Sequence, residues 1–158
     1  KHFGAFKAFL MVLLKLSALT GATEPPKDEE TKTLMVKCFF YLLSSGISQL
    51  NKMGHTEIKD WTSKSPDRVY AFAVDGHPEV AAFIRIKAGK SRAGRGEYKR
   101  AMPFFTLRFN NLDSALGILL SIDDMLEATK AGRLIMDGGP EFGAQLGGFM
   151  LEVGALAK

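Results

Sequence analysis

In RVYAFAVDGHPEVAAFIRIKAGK, residues 68–90, the spacing of apolar residues becomes two. Tyr70, Phe72 and Val74 alternate with Val69, Ala71 and Ala73, and beyond DGHP the residues Val80, Ala82, Ile84 and Ile86 alternate with Phe83, Arg85 and Lys87. Successive side chains of a strand point to opposite faces, and DGHP carries turn residues, so the stretch predicts an antiparallel hairpin with its basic flank in water. AMPFFTLRFN, residues 101–110, repeats the device: Phe105, Leu107 and Phe109 share one face, and Thr106, Arg108 and Asn110 the other. RLIMD, residues 133–137, reads as a last short strand with Leu134 and Met136 to one side.

Upstream of the hairpin the period is helical. TGATEPPKDEETK, residues 20–32, breaks the chain with two prolines and then offers Asp28, Glu29 and Glu30, acidic residues suited to a helix N-terminus. Leu34, Cys38, Leu42, Ile47 and Leu50 follow at helical spacing, which predicts a helix from about Asp28 to Asn51, stopped by NKMG. Ahead of the break, the apolar N-terminal segment is interrupted by Lys7 and Lys15, leaving Ala8 to Leu14 uncut. A bilayer needs about 20 apolar residues, so this segment is read as a helix striped by Phe6, Phe9, Leu10, Leu13 and Leu16. Such a stripe is too apolar to stay in water and is expected to serve as a lid or as a homo-oligomer contact. Lys1 and Lys7 ahead of it and small residues near Ala18 to Ala22 leave a signal-like origin as the alternative.

NLDSALGILLSIDDMLEATKAG, residues 111–132, returns to helical spacing, with Asp113 or Ser114 as cap and a second start at Ser121. PEFGAQLGGFMLEVGALAK, residues 140–158, starts a final helix with Pro140 in its first turn. Gly143 and Gly147, four apart, leave one face of that helix bare, so that the sheet or a lipid chain can lie close; Gly138 and Gly139 turn the chain before it.

Composition bounds the chemistry. The 158 residues are 46% apolar and 24% charged, ordinary for a domain with a real core. The single cysteine, Cys38, forms no internal disulfide and is expected to be buried and unreactive, which suits a reducing, cytoplasmic setting. AGKS, residues 88–91, resembles the tail of a phosphate-binding loop, but Ile84 stands where that loop requires its first glycine. GGPEFG places Pro140 and Glu141 where a dinucleotide fingerprint needs free amides and no negative charge. His2, His55 and His77 show no metal-ligand spacing, and His77 with Glu79 lacks the paired cysteines of zinc deaminases. Asp123 and Asp124 are adjacent, so they point apart and decorate a helix start. No metal, cofactor or catalytic residue is expected.

The charge is uneven. Arg85, Lys87, Lys90, Arg92, Arg95, Lys99 and Arg100 oppose only Glu97, a net +6 within residues 85–100, whereas the rest, with 14 cations and 16 acids, is net −2. A Gly-rich basic loop of this kind is read either as a solvated loop or as a contact for anions, a transient anionic membrane surface before nucleic acid, through Lys90, Arg92, Arg95, Lys99 and Arg100. Nucleic acid is not expected, since only Tyr98 could stack there and no recognition motif accompanies it.

GRLIMDGGPEFGAQLGGFM, residues 132–150, resembles the C-terminal signature of the sterol carrier protein family, with Gly132, Arg133, Leu134, Met136 and Gly138 in the matching places. With FTLRF and the amphipathic helix after it, the resemblance spans about residues 69–158. It implies an α+β fold in which helices pack a mostly antiparallel sheet of about five strands around an apolar tunnel for sterols, fatty acyl chains or phospholipids. The chain departs from that family in its apolar N-terminal segment, its long second helix and the insertion GILLSIDD, residues 117–124. Two parts are expected, residues 1–24 as the added helix and 25–158 as the lipid-binding domain.

The residues expected to line the tunnel are Phe72, Val74, Ile84, Phe105, Leu107, Phe109, Leu134, Met136, Phe142, Leu146 and Met150, with methionines as adaptable liners. The function expected is non-catalytic binding or transfer of a fatty acid, phospholipid or sterol-like molecule. An interaction or regulatory module with a filled core, or an accessory domain of an enzyme, is the alternative.

Overall fold

A computed structural model describes residues 28–119 and 123–155, so the expectations for the N-terminal segment and for a helix start at Ser121 lie outside the described residues. In chain order the elements are α1 (Glu29–Lys52), α2 (Thr56–Lys64), β1 (Arg68–Val74), a 3-10 turn (Pro78–Val80), β2 (Ala82–Lys87), β3 (Lys90–Arg95), β4 (Phe105–Phe109), α3 (Leu112–Leu119), α4 (Met125–Lys130), β5 (Leu134–Asp137) and α5 (Pro140–Ala155).

The strands form one mixed sheet in the order β3-β2-β1-β4-β5. Every pairing is antiparallel except β1 with β4, which run parallel with Tyr70 opposite Phe105 and Val74 opposite Phe109. Register puts Tyr70, Phe72, Val74, Ile84, Ile86, Phe105, Leu107, Phe109 and Leu134 on one face, buried beneath the helices. The other face carries Phe83, Arg85, Thr106 and Arg108. There Arg108 reaches Asp75 at 2.7 Å and Asp137 at 2.9 Å, tying the turn after β1 to β5.

Asp28 caps α1, its carboxylate accepting from Thr31 N at 2.8 Å, and Glu29 and Glu30 complement the positive end of the helix dipole. By length and composition α1 could cross a bilayer, but 56% of its most apolar window is buried inside the fold, and Val36, Phe40, Leu43 and Ile47 make it the core helix. Cys38 is half-buried on this helix, not buried as expected.

Three local readings are corrected. The basic stretch is not a loop throughout: Lys90–Arg95 is an edge strand, and Ala88 and Gly89, both at positive φ, make the two-residue turn that joins it to β2. α2 lies where no helix was expected. Asn111, not Asp113 or Ser114, accepts the Ser114 amide at 2.8 Å at the start of α3, and α4 is capped by Asp124, which accepts from Glu127 N at 3.2 Å. A buried polar knot fixes α1, α2 and the β2–β3 turn together: Asn51 donates to Ser91 Oγ at 2.9 Å and Gly89 O at 3.1 Å and accepts from Thr62 Oγ1 at 2.6 Å.

Candidate ligand-binding groove

The residues expected to line a tunnel do converge. Phe72, Val74, Ile84, Phe105, Leu107, Phe109, Leu134 and Leu146 belong to one buried cluster, with Met136, Phe142 and Met150 packed against it. On α5 the bare face meets the sheet. A Cβ added at Gly143 would collide with the Met136 thioether and come within 3.2 Å of the Phe105 ring, and Gly147 faces Met125. Both glycines therefore admit protein side chains.

Open space lies beside this cluster. A groove of about 790 Å³ runs between α2 and α5, walled by Trp61, Phe142 and Phe149 and rimmed by Glu57, Asp60, Lys64, Arg68 and Glu152. Of the eleven expected lining residues, Phe142 alone reaches it. Helical geometry explains the wall: Phe142, Gln145, Phe149 and Glu152 recur at three- and four-residue steps and so share the side of α5 that faces α2. Trp61 comes from α2, whose start is fixed by His55. The His55 Nδ1 accepts from Ile58 N at 3.4 Å, while its Nε2 meets Glu152 at 3.3 Å and links the two helices.

Beneath the groove the aromatic rings are continuous. Trp61 contacts Phe149 at 4.8 Å and Tyr70 at 5.1 Å between ring centroids, and Phe142 contacts Phe104 at 4.8 Å and Tyr70 at 6.2 Å. The Arg68 guanidinium sits 4.0 Å from the Phe104 ring centre and 5.5 Å from that of Phe142, a cation held by ring faces. Lys64 is paired with Asp60 at 3.1 Å, whereas Arg68 has no carboxylate partner among the described residues. The Tyr70 hydroxyl, on a fully buried side chain, has no hydrogen-bond partner among them either. Such a group lacks about 1 to 3 kcal/mol of the solvation it had in water.

Groove shape, an aromatic wall and a guanidinium on the rim with no carboxylate partner among the described residues suit an amphipathic molecule, apolar along most of its length with one acceptor group, and the Tyr70 hydroxyl lies buried behind that wall. The expected basic residues Lys90, Arg92, Arg95, Lys99 and Arg100 do not take part. They stand exposed on β3 and the segment after it, and the structure gathers them at the opposite end of the sheet order from β5.

The described chain resembles sterol carrier proteins. It aligns with the crystal structure of sterol carrier protein 2 at 18% identity, over 75% of this chain and 95% of that one, with a TM-score of 0.44. The solution structure of palmitated SCP2L2 from Aedes aegypti aligns at 17% identity, over 68% and 90%, with a TM-score of 0.44. UbiJ-SCP2, a ubiquinone synthesis protein, aligns at 17%, over 74% and 96%, with a TM-score of 0.42. No protein-family profile matches the sequence, and no curated protein does.

Trp61, Arg68 and Phe149 were not among the residues expected from the sequence to bind a ligand. The signal available was Trp61 itself, the sole tryptophan of the chain, seven residues before a strand that opens on an arginine.

Proposed function

We propose that the protein reversibly binds a fatty acid or similar single-chain amphipath in the groove between α2 and α5, without chemical change to it. The observation that carries the reading is a groove of about 790 Å³ walled by Trp61, Phe142 and Phe149, with the Arg68 guanidinium on its rim and the unsatisfied Tyr70 hydroxyl buried behind these rings. That volume lies in the range of small-molecule sites, and the apolar walls supply affinity at about 0.8 kcal/mol per buried CH2. Arg68 on the rim gives the carboxylate a charge-assisted partner, and the buried Tyr70 hydroxyl a donor where the rings part to admit the head.

As part of the same reading, the basic edge formed by Lys90, Arg92, Arg95, Lys99 and Arg100 brings the loaded protein to anionic membranes, in a reducing, cytoplasmic setting. A filled-core interaction module is the second reading, favoured by the fit of Gly143 against Met136 and Phe105. Native mass spectrometry of gently purified protein, compared with the same sample after delipidation, separates them. A species one fatty acid heavier that disappears on delipidation and returns on adding palmitate supports the carrier. An unchanged bare mass in all three samples refutes it.

A further inference from the structure

On the face of the sheet away from the helices, β2 and β3 build a second, smaller recess. Phe83 of β2 is the register partner of Gly94 on β3, and its ring lies over that glycine so closely that a Cβ there would collide with it. Glycine at 94 is therefore what allows the ring to lie flat on the strand. After β3 the chain turns through Gly96 at positive φ and lays Tyr98 edge-on against Phe83, ring centres 5.0 Å apart. The recess holds about 300 Å³, with these two rings among its walls.

Its charge is specific. Arg85 reaches the recess but is committed to Asp67 by two hydrogen bonds, at 2.8 and 2.6 Å. Arg92, Lys99 and Arg100 also line it, and none is ion-paired among the described residues; Glu97 is the acid that lines it with them. Three free cations against one carboxylate leave two positive charges around a space the size of a headgroup. A phosphate monoester carries about 1.5 to 2 negative charges near neutral pH, and arginine presents it a planar fork of donors.

We infer that this recess is a binding site for a phosphate monoester, whose carbon portion rests on Phe83 and Tyr98 while Arg92, Lys99 and Arg100 hold the phosphate. The inference is separate from the groove, and it differs from general attraction to anionic membranes because it requires shape as well as charge.

The test uses the full chain and two sources of the same group. Vesicles of phosphatidylcholine doped with phosphatidic acid, a monoester, are compared in co-sedimentation with vesicles doped with phosphatidylserine to the same measured surface potential. Soluble glycerol 3-phosphate is titrated in parallel by calorimetry. The expected result is about a tenfold preference for the monoester in at least one arm, the value two additional charge-assisted contacts provide. Tyr98→Ala, which changes no charge, should abolish most of that preference, with circular dichroism confirming the fold. Preference in the vesicle arm alone identifies a lipid headgroup, and saturable binding of glycerol 3-phosphate with no vesicle preference identifies a soluble ester. Equal binding to both vesicle types with no binding of glycerol 3-phosphate overturns the site and leaves the membrane reading and the groove untouched. A preference that survives Tyr98→Ala while falling on Arg92→Gln also overturns it, since charge alone would then suffice.

Discussion

The two ends of Tyr70 have different needs. Its ring packs among Trp61, Phe104, Phe105 and Phe142, as a strand residue on the core face should. Its hydroxyl finds no acceptor there. Phenylalanine would fill the same space without that group, so Tyr70→Phe should leave the melting temperature of the ligand-free protein unchanged or raise it, the gain reaching about 1 kcal/mol. If the hydroxyl donates to a bound carboxylate, the same change should weaken fatty-acid affinity about three- to tenfold, read by competitive titration with a fluorescent analogue. Unchanged affinity would remove Tyr70 from the site. Arg68, two residues away on the same strand face, also lies against these rings.

Among the elements, what was legible in the sequence depended on how much large apolar surface each one buries. α1, β1, β2 and β4 bury bulky residues at regular spacing and could be read directly. β3 could not, because its inward positions hold Ser91 and Ala93, small enough to let α1 cross over it, while Gly94 on the other side makes room for Phe83. A strand of small and basic residues looks like a loop when its partners are unseen. α2 was missed for a related reason: only Ile58 and Thr62 of its nine residues are buried. The groove inherits both difficulties, since Trp61 and Phe149 belong to elements far apart in sequence and meet only through the fold.

The hairpin also yields a pH dependence. Hydrogen bonds from Arg85, with its charge, hold the Asp67 carboxyl below its ordinary value of 3.8, and Asp67 in turn raises the Arg85 guanidinium. Because the folded value is depressed, the pair's contribution is complete above the unfolded value and is lost as pH falls through the lower folded one. Asp67→Asn should therefore lower the melting temperature slightly at neutral pH and converge with the parent protein as pH falls below the depressed folded value. A difference independent of pH would mean that Arg85 and Asp67 do not pair in solution.

At the scale of the whole molecule, the helices and one sheet face fill the core, and among the described residues an aromatic-walled groove opens between α2 and α5, with a basic edge on β3. Carrier function thus requires no hollow sheet. It requires that a fatty acid displace water from a groove whose wall contains the chain's one tryptophan. Trp61 is consequently a built-in reporter, and titrating delipidated protein with a brominated fatty acid, below its critical micelle concentration, tests the groove most directly. The expected result is saturable quenching of Trp61 emission at one ligand per chain, reversed by unlabelled palmitate and absent in Phe149→Glu. Emission that falls only in proportion to added bromine, without saturation or competition, would contradict binding in the groove.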